Sequence, residues 1–379
     1  MALSCHVVQT TARIPRLFSL WVAFVFLLTS CAEPPPLIGI DNPEIPAASV
    51  TDATRHKIFL MTTRQPTEVT GAFFSEKRAI EMGLAAVTVS IPPNHVSGEL
   101  NRPMRLPPDP REEFTVVDPV RYDAHSAFVR DVNAELASRP PGEREIMFFV
   151  SGYNTTTSHS VLRLAQFVED SGYKGVPVLF DWASAGSLRR YVYDLNSALI
   201  ARSAMTDIQT ILGKTHVEGV TMFGYSMGGL LVMEGLNEMA LLGTLNRTGK
   251  LKGIILASPD IDMDLFRTQI SRIGDLRKKL YVLISDDDGV LNMSRLLAGG
   301  VPRVGAANAD ELAELGVNVI DLSEVNDSSA GNHSKFSGSP EVVKLIGLGL
   351  NNNDRFDRGS RNNRLQDILD DLSIRVVLQ

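Results

Sequence analysis

The segment 220–231 constrains this chain more than any other. An apolar run, Val220-Thr221-Met222-Phe223, leads into Gly224-Tyr225-Ser226-Met227-Gly228, and helical spacing begins at once. Gly-x-Ser-x-Gly between a strand and a helix is the pattern of a nucleophile elbow: a serine on a tight, strained turn, its hydroxyl lifted clear of a sheet. The glycines are small because backbone on either side passes too close for side chains. The pattern is short enough to arise by chance. Its meaning depends on whether the chain also supplies a parallel sheet, a base, an acid and backbone donors.

The sheet is legible as apolar runs separated by amphipathic ones. Segments 57–63, 85–91, 146–150, 176–180, 253–257, 280–285 and 317–322 read as strands, together with the run before Ser226. Continuous apolar runs such as Ile146-Met147-Phe148-Phe149-Val150 suit strands buried on both faces. Pro177 lacks an N–H, so it belongs at the first position of its strand or on a bulge. Helical spacing appears at 126–136, at 161–168, as one long helix at 195–212, from Met227 to about Leu242, and from Pro340 to about Leu348. Segment 94–118 is rich in proline and reads as an irregular surface excursion. Strands alternating with long helices imply a mostly parallel sheet of about eight strands with helices on both faces.

The ends of the chain read differently. Arg13 and Arg16 precede an apolar run at 17–28, and no acid appears before Glu33. Residues 1–30 therefore read as a signal peptide, with a run too short to span a membrane. Leu28-Thr29-Ser30-Cys31 resembles a bacterial lipobox, which implies acylation of Cys31 and a lipid-anchored place in the bacterial cell envelope. An ordinary secretory cleavage near Ala32 and a retained anchor are the alternatives. Cys5 and Cys31 are the two cysteines, so an acylated Cys31 leaves a mature chain with no disulfide. Residues 31–50 carry Pro34, Pro35, Pro36, Pro43 and Pro46 and read as a tether. Residues 51–350 form the folded domain, and 351–379 a polar tail with one short helical stretch at 365–372. A net charge of −7 opposes nucleic acid as a partner.

Sites in such sheets form beyond the carboxyl ends of the strands. In chain order those ends hold Ser151-Gly152-Tyr153, Asp181-Trp182, Ser226, Asp260, Asp286-Asp287-Asp288 and His333. Serine, then acid, then histidine is the order of α/β-hydrolases. Ser226 needs a base to take its proton, and His333, on a loop after the last of these strands, is the candidate. His216 precedes the elbow strand and belongs at the opposite end of the sheet. One of Asp286, Asp287 and Asp288 is the candidate acid, with Asp260 in reserve; spacing does not choose among the three. The N–H groups of Met227 and Tyr153 are the candidate oxyanion donors. Asp260-Ile261-Asp262-Met263-Asp264 starts like a calcium loop but has Leu265 and Ser271 where glycine and glutamate belong. No histidine pair has zinc spacing. No metal and no cofactor are expected.

The chain resembles the α/β-hydrolase superfamily, and within it a bacterial family known as domain of unknown function 900. The matching pieces are Phe148-Phe-Val-Ser-Gly-Tyr-Asn154, Gly175-Val-Pro-Val-Leu-Phe-Asp-Trp182, the elbow, Ala257-Ser-Pro-Asp-Ile-Asp262, Ser294-Arg-Leu-Leu-Ala-Gly-Gly300 and the stretch 331–336. The resemblance implies that Asp288 is the acid. It also marks two departures: Ser151 and Tyr225 stand where the family usually has histidines, and both positions shape the pocket. The expected activity is that of a membrane-tethered serine hydrolase, with a small-molecule or lipid ester as substrate. The alternative is a catalytically silent lipoprotein that keeps the fold as a binding or scaffold module.

Overall fold

The computed structural model describes residues 40–69, 71–325, 332–351 and 374–379. The signal-peptide segment, Cys31, Gly331 and the helical stretch read at 365–372 lie outside the described residues.

The chain runs through β1 (Thr54–Pro66), β2 (Phe74–Ile91), β3 (Thr115–Tyr122), α1 (His125–Ala137), β4 (Glu145–Val150), α2 (Thr157–Ser171) and β5 (Val176–Asp181). It continues through α3 (Tyr191–Ala201), α4 (Ala204–Gly213), β6 (Gly219–Tyr225), α5 (Met227–Leu241), β7 (Leu251–Ala257), α6 (Met263–Ile273) and β8 (Leu280–Ile284). The remaining elements are α7 (Gly289–Leu297), α8 (Ala309–Glu314), β9 (Asn318–Asp321), α9 (Lys335–Gly338), α10 (Pro340–Asn351) and β10 (Arg375–Val377).

The described strands form one ten-stranded sheet in the order β10-β9-β8-β7-β6-β4-β5-β1-β2-β3. From β9 to β1 every neighbouring pair is parallel. The edges are antiparallel: β10 on β9, β2 on β1 and β3 on β2. Strand order reverses between β4 and β6, so the crevice of this sheet opens where Ser151 and Ser226 leave it.

Alternation within each strand explains why both faces are covered. Ile146, Phe148 and Val150 of β4 pack with Phe128 of α1, Met205 of α4, Leu231 of α5 and Phe266 of α6. Met147 and Phe149 point the other way and pack with Val161, Leu164 and Phe167 of α2 and Val342 and Ile346 of α10. A strand with no polar face stays in place only when helices bury both sides. The ends of α2 are set locally. Thr156 caps it by accepting from the His159 N–H, and Gly172 closes it at φ 61°. His56 of β1 meets Glu169 of α2 at 2.5 Å.

The structure differs from the sequence reading at several points. The sheet has ten strands, not about eight. β3 lies at the end of the proline-rich excursion; Asp118 at φ 49° and Pro119 sit at a register shift against β2, a bulge that hides the strand's alternation. β10, three residues long, pairs the end of the polar tail with β9. The long helix read at 195–212 is two helices, α3 and α4, because the chain turns at Arg202 and Ser203 while the apolar spacing runs on through the turn. Pro177, expected at the first position of its strand or on a bulge, is the second residue of β5, opposite Met147 and just before pairing with β1 begins at Val178. From Ile40 the segment read as a tether packs on the domain: Ile40 bridges Val116, and the Asn42 side chain donates to the Pro108 carbonyl at 2.8 Å. Among the described residues no helix is long and apolar enough to cross a membrane.

Candidate active site

β6 ends at Tyr225 and α5 begins at Met227, so Ser226 alone turns the chain. Its backbone stands at φ 54° and ψ −123°. Such a conformation costs a non-glycine residue about 1–3 kcal/mol and persists only where the surroundings impose it. Here the Ser226 N–H donates to the Ala257 carbonyl at 2.9 Å. The Ser226 carbonyl accepts from Gly229 at 2.9 Å and Asp260 at 3.1 Å. Both elbow glycines are demanded by close backbone. A Cβ on Gly228 would lie 2.3 Å from the Val150 carbonyl oxygen, and one on Gly224 2.7 Å from Gly229 Cα.

His333 reaches Ser226 from the loop before α9. Its Nε2 lies 2.9 Å from Ser226 Oγ, and its Nδ1 lies 2.6 Å from Asp288 Oδ2. Ser226 and His333 are nearly buried and Asp288 fully so. Asp288 stands at the turn after β8 and caps α7: its Oδ1 accepts from the N–H groups of Val290 at 3.0 Å and Leu291 at 2.9 Å. One carboxylate oxygen is thus fixed by a helix terminus and the other faces the imidazole. A carboxylate only accepts, so Nδ1 carries the imidazole hydrogen and Nε2 accepts from the serine hydroxyl.

The neighbouring acids do other things. Asp286 is exposed. Asp287 accepts from Lys335 Nζ at 2.8 and 3.1 Å, from Asn332 at 2.8 Å, and from Ser285. Asp260, the reserve acid, is held by Ser294 at 2.6 Å and Tyr191 at 3.0 Å, with Arg303 3.3 Å away. Burial first and the Asp260 charge second push the Tyr191 phenol up to about 12. Asp181 forms a buried pair with Arg64 at 3.0 Å. His56 and His95 pair with Glu169 and Asp170 of α2, away from Ser226.

Met227 follows Ser226 directly, and the loop bearing Tyr153 lies against it: a Cβ on Gly152 would stand 3.1 Å from Ser226 Cβ. That loop is braced from beneath by Asp194 of α3. Its carboxylate accepts from the Ser184 hydroxyl at 2.5 Å, the Ala185 N–H at 2.7 Å and the Asn154 N–H at 3.2 Å. Burial raises the Asp194 carboxyl above its ordinary range, and these hydrogen bonds oppose the rise. Asn154 takes the left-handed region at φ 58°, which its short polar side chain tolerates.

The family model for alpha/beta hydrolases of unknown function (DUF900) matches residues 124–348, more than half of the chain, and spans Ser226, Asp288 and His333. The chain belongs to this family. No curated protein matches it in sequence. Among solved structures, this family member is similar to the putative cell surface hydrolase from Lactobacillus plantarum WCFS1. Identity is 12%, coverage 62% of this chain and 98% of that one, and TM-score 0.39. It is also similar to carboxyl esterase 2 from the fungus Tuber melanosporum, at 13% identity, coverage of 87% and 97%, and TM-score 0.37. A predicted CIB-like hydrolase from Thermoplasma acidophilum matches at 19% identity, coverage of 56% and 88%, and TM-score 0.36. At these scores the likenesses carry no argument about this chain's chemistry.

Of the two departures within this DUF900 sequence, Tyr225 immediately precedes the serine, and Ser151 follows the end of the neighbouring strand β4. The Tyr225 ring packs beside His333 at 5.2 Å and on Phe336 at 4.5 Å, and its hydroxyl lies 3.2 Å from Ser334 Oγ. Tyr225 therefore walls the histidine. Ser151 is buried, and its carbonyl accepts from Trp182 Nε1 at 2.7 Å.

The structure brings the expected Ser226, His333 and Asp288 into one run of contacts, and it buries three charges the sequence reading did not single out, Lys335, Asp194 and Arg64. Each of the three reads as a solvated charge on its local pattern, and each is buried. Lys335 offered one signal, its place two residues beyond His333.

Proposed function

We propose that this hydrolase-fold protein is a serine esterase, acting through an acyl-enzyme and held to the cell envelope by lipid on Cys31. The observation that carries the proposal is the unbroken run of contacts from Ser226 Oγ through His333 to a buried Asp288 whose other oxygen accepts from two backbone N–H groups.

In the proposed reaction Ser226 Oγ attacks the ester carbonyl carbon while His333 Nε2 takes the hydroxyl proton. The imidazolium that forms is held and stabilised by Asp288. Negative charge develops on the carbonyl oxygen, and the N–H groups of Met227 and Tyr153 stabilise it. Collapse breaks the bond to the alcohol, which leaves with the proton from His333. Water, deprotonated by the same nitrogen, then attacks the acyl-Ser226 ester; the acyl–Oγ bond breaks, His333 returns the proton to Ser226 Oγ, and the acid is released.

A fluorophosphonate probe tests this. The wild-type chain is expected to label and Ser226→Ala to stay unlabelled. Absence of wild-type labelling, or labelling of Ser226→Ala, overturns the reading. Membrane attachment is tested separately: Cys31→Ser is expected to move the protein to the soluble fraction, and continued attachment defeats the lipid-anchor assignment.

A further inference from the structure

α7 carries its apolar stripe outward. Its buried residues are Leu291 and Ser294. Met293, Leu296 and Leu297, one stripe by their helical spacing, are 57%, 69% and 65% exposed. On an ordinary surface helix that stripe faces the core. Leaving these side chains in water forgoes the burial that stabilises a folded chain, so the exposure calls for a partner.

The surroundings say which. The hydroxyl of Tyr191, the first residue of α3, lies 3.0 Å from Ser294 Oγ of α7, which brings the start of α3 to α7. Arg189 and Arg190 precede it, both exposed, and Arg295 is exposed on α7 itself. Neither 182–193 nor 289–309 contains an aspartate or glutamate, in a chain with 44 acidic residues and a net charge of −7. An apolar stripe edged by arginines, with no carboxylate in either segment, is complementary to an anionic lipid surface. A second copy of the chain is a poor fit, because docking this face on itself would bring like cations together.

We propose that this face docks on an anionic phospholipid bilayer, with the α7 stripe among the acyl chains and Arg189, Arg190 and Arg295 at the phosphates. The helix that docks is the one Asp288 caps, so docking sets the candidate active site at the lipid surface. The choice of acyl lipid as substrate class rests on the esterase reading; the docking itself does not.

The test uses the full chain with Leu296→Trp, reconstituted into vesicles whose acyl chains are brominated. The two native tryptophans are Trp21 and Trp182, so the wild-type chain supplies the baseline. In phosphatidylglycerol vesicles the added tryptophan is expected to be quenched beyond that baseline, and about twofold or more beyond its quenching in phosphatidylcholine vesicles. Replacing Arg189, Arg190 and Arg295 together by glutamine is expected to abolish the difference. Quenching no greater than wild type overturns the proposal. So does light scattering that shows a dimer which Leu296→Asp separates, because the face would then belong to a second copy. Fluorophosphonate labelling of the same variants is read alongside: unlabelled wild type sinks the esterase reading, while labelled protein without quenching sinks only the docking.

Discussion

Lys335 donates to both carboxylate oxygens of Asp287, while His333, two residues earlier, meets the adjoining Asp288 at 2.6 Å. The same ammonium donates to the Leu322 carbonyl at 2.9 Å and is 1% exposed. The loop that brings the histidine and the turn that brings the acid are therefore joined twice. Phe336, next in sequence, seats the loop on Phe223 and Phe167, with ring centroids 5.7 and 6.0 Å away.

Lys335→Met is expected to lower stability by about 1–3 kcal/mol, because it removes the charge-assisted hydrogen bonds that a buried ammonium makes to the Asp287 carboxylate and the Leu322 carbonyl. Chemical denaturation reads the loss, and the rate of fluorophosphonate labelling should fall with it. An unchanged midpoint would show that the clamp holds nothing.

Asp288→Asn is expected to cut ester turnover by about three to four orders of magnitude, since an amide in that place favours the wrong imidazole tautomer. Asp286→Asn, at an exposed position, should stay within about twofold of wild type. Steady-state rates on one soluble ester for both variants decide it. A collapse at Asp286 with Asp288→Asn intact would reassign the acid.

Asp194→Asn is expected to lower kcat by about ten- to a hundredfold with little change in KM. It replaces an acceptor with an N–H among the donors of Ser184, Ala185 and Asn154, and loosens the loop that carries the Tyr153 donor. The kcat and KM values measured separately check this; a loss confined to KM would place Asp194 in substrate binding instead.

The Glu169 carboxyl sits below its ordinary value of 4.5, chiefly because His56 hydrogen-bonds to it. A depressed carboxyl stabilises the fold fully above its unfolded value and loses that contribution as pH falls through the folded value. Thermal unfolding across the acid range should therefore show a steeper decline for wild type than for Glu169→Gln below pH 4.5. Parallel curves would show that the pair contributes nothing to acid stability.

What was legible in the sequence follows a physical pattern. Strands buried on both faces, such as β4 and β5, announce themselves because every residue must be apolar. β3 and β10 did not, since edge strands tolerate charges, a proline and short length. Ser226 was visible because backbone crowding forces glycine on both sides. The choice of Asp288 over its neighbours was not visible in spacing: it depends on which carboxylate the turn directs inward, and the resemblance supplied it. Buried charges were the least legible. Lys335 meets Asp287, 48 residues earlier, and Asp194 meets Asn154, 40 residues earlier, and no local pattern carries that.

Ser226 and His333 are 107 residues apart in the chain, and His333 and Asp288 are 45 apart. In the sheet, β7, β8 and β9 follow β6 in spatial order, so both contacts join segments far apart in the chain. Closing such long stretches is slow, and no partial assembly is rewarded by the contact itself. The relay is thus among the last things the chain acquires. A nascent chain that ends between Ser226 and His333 lacks both contacts altogether, so on the esterase reading an unfinished copy would be inert.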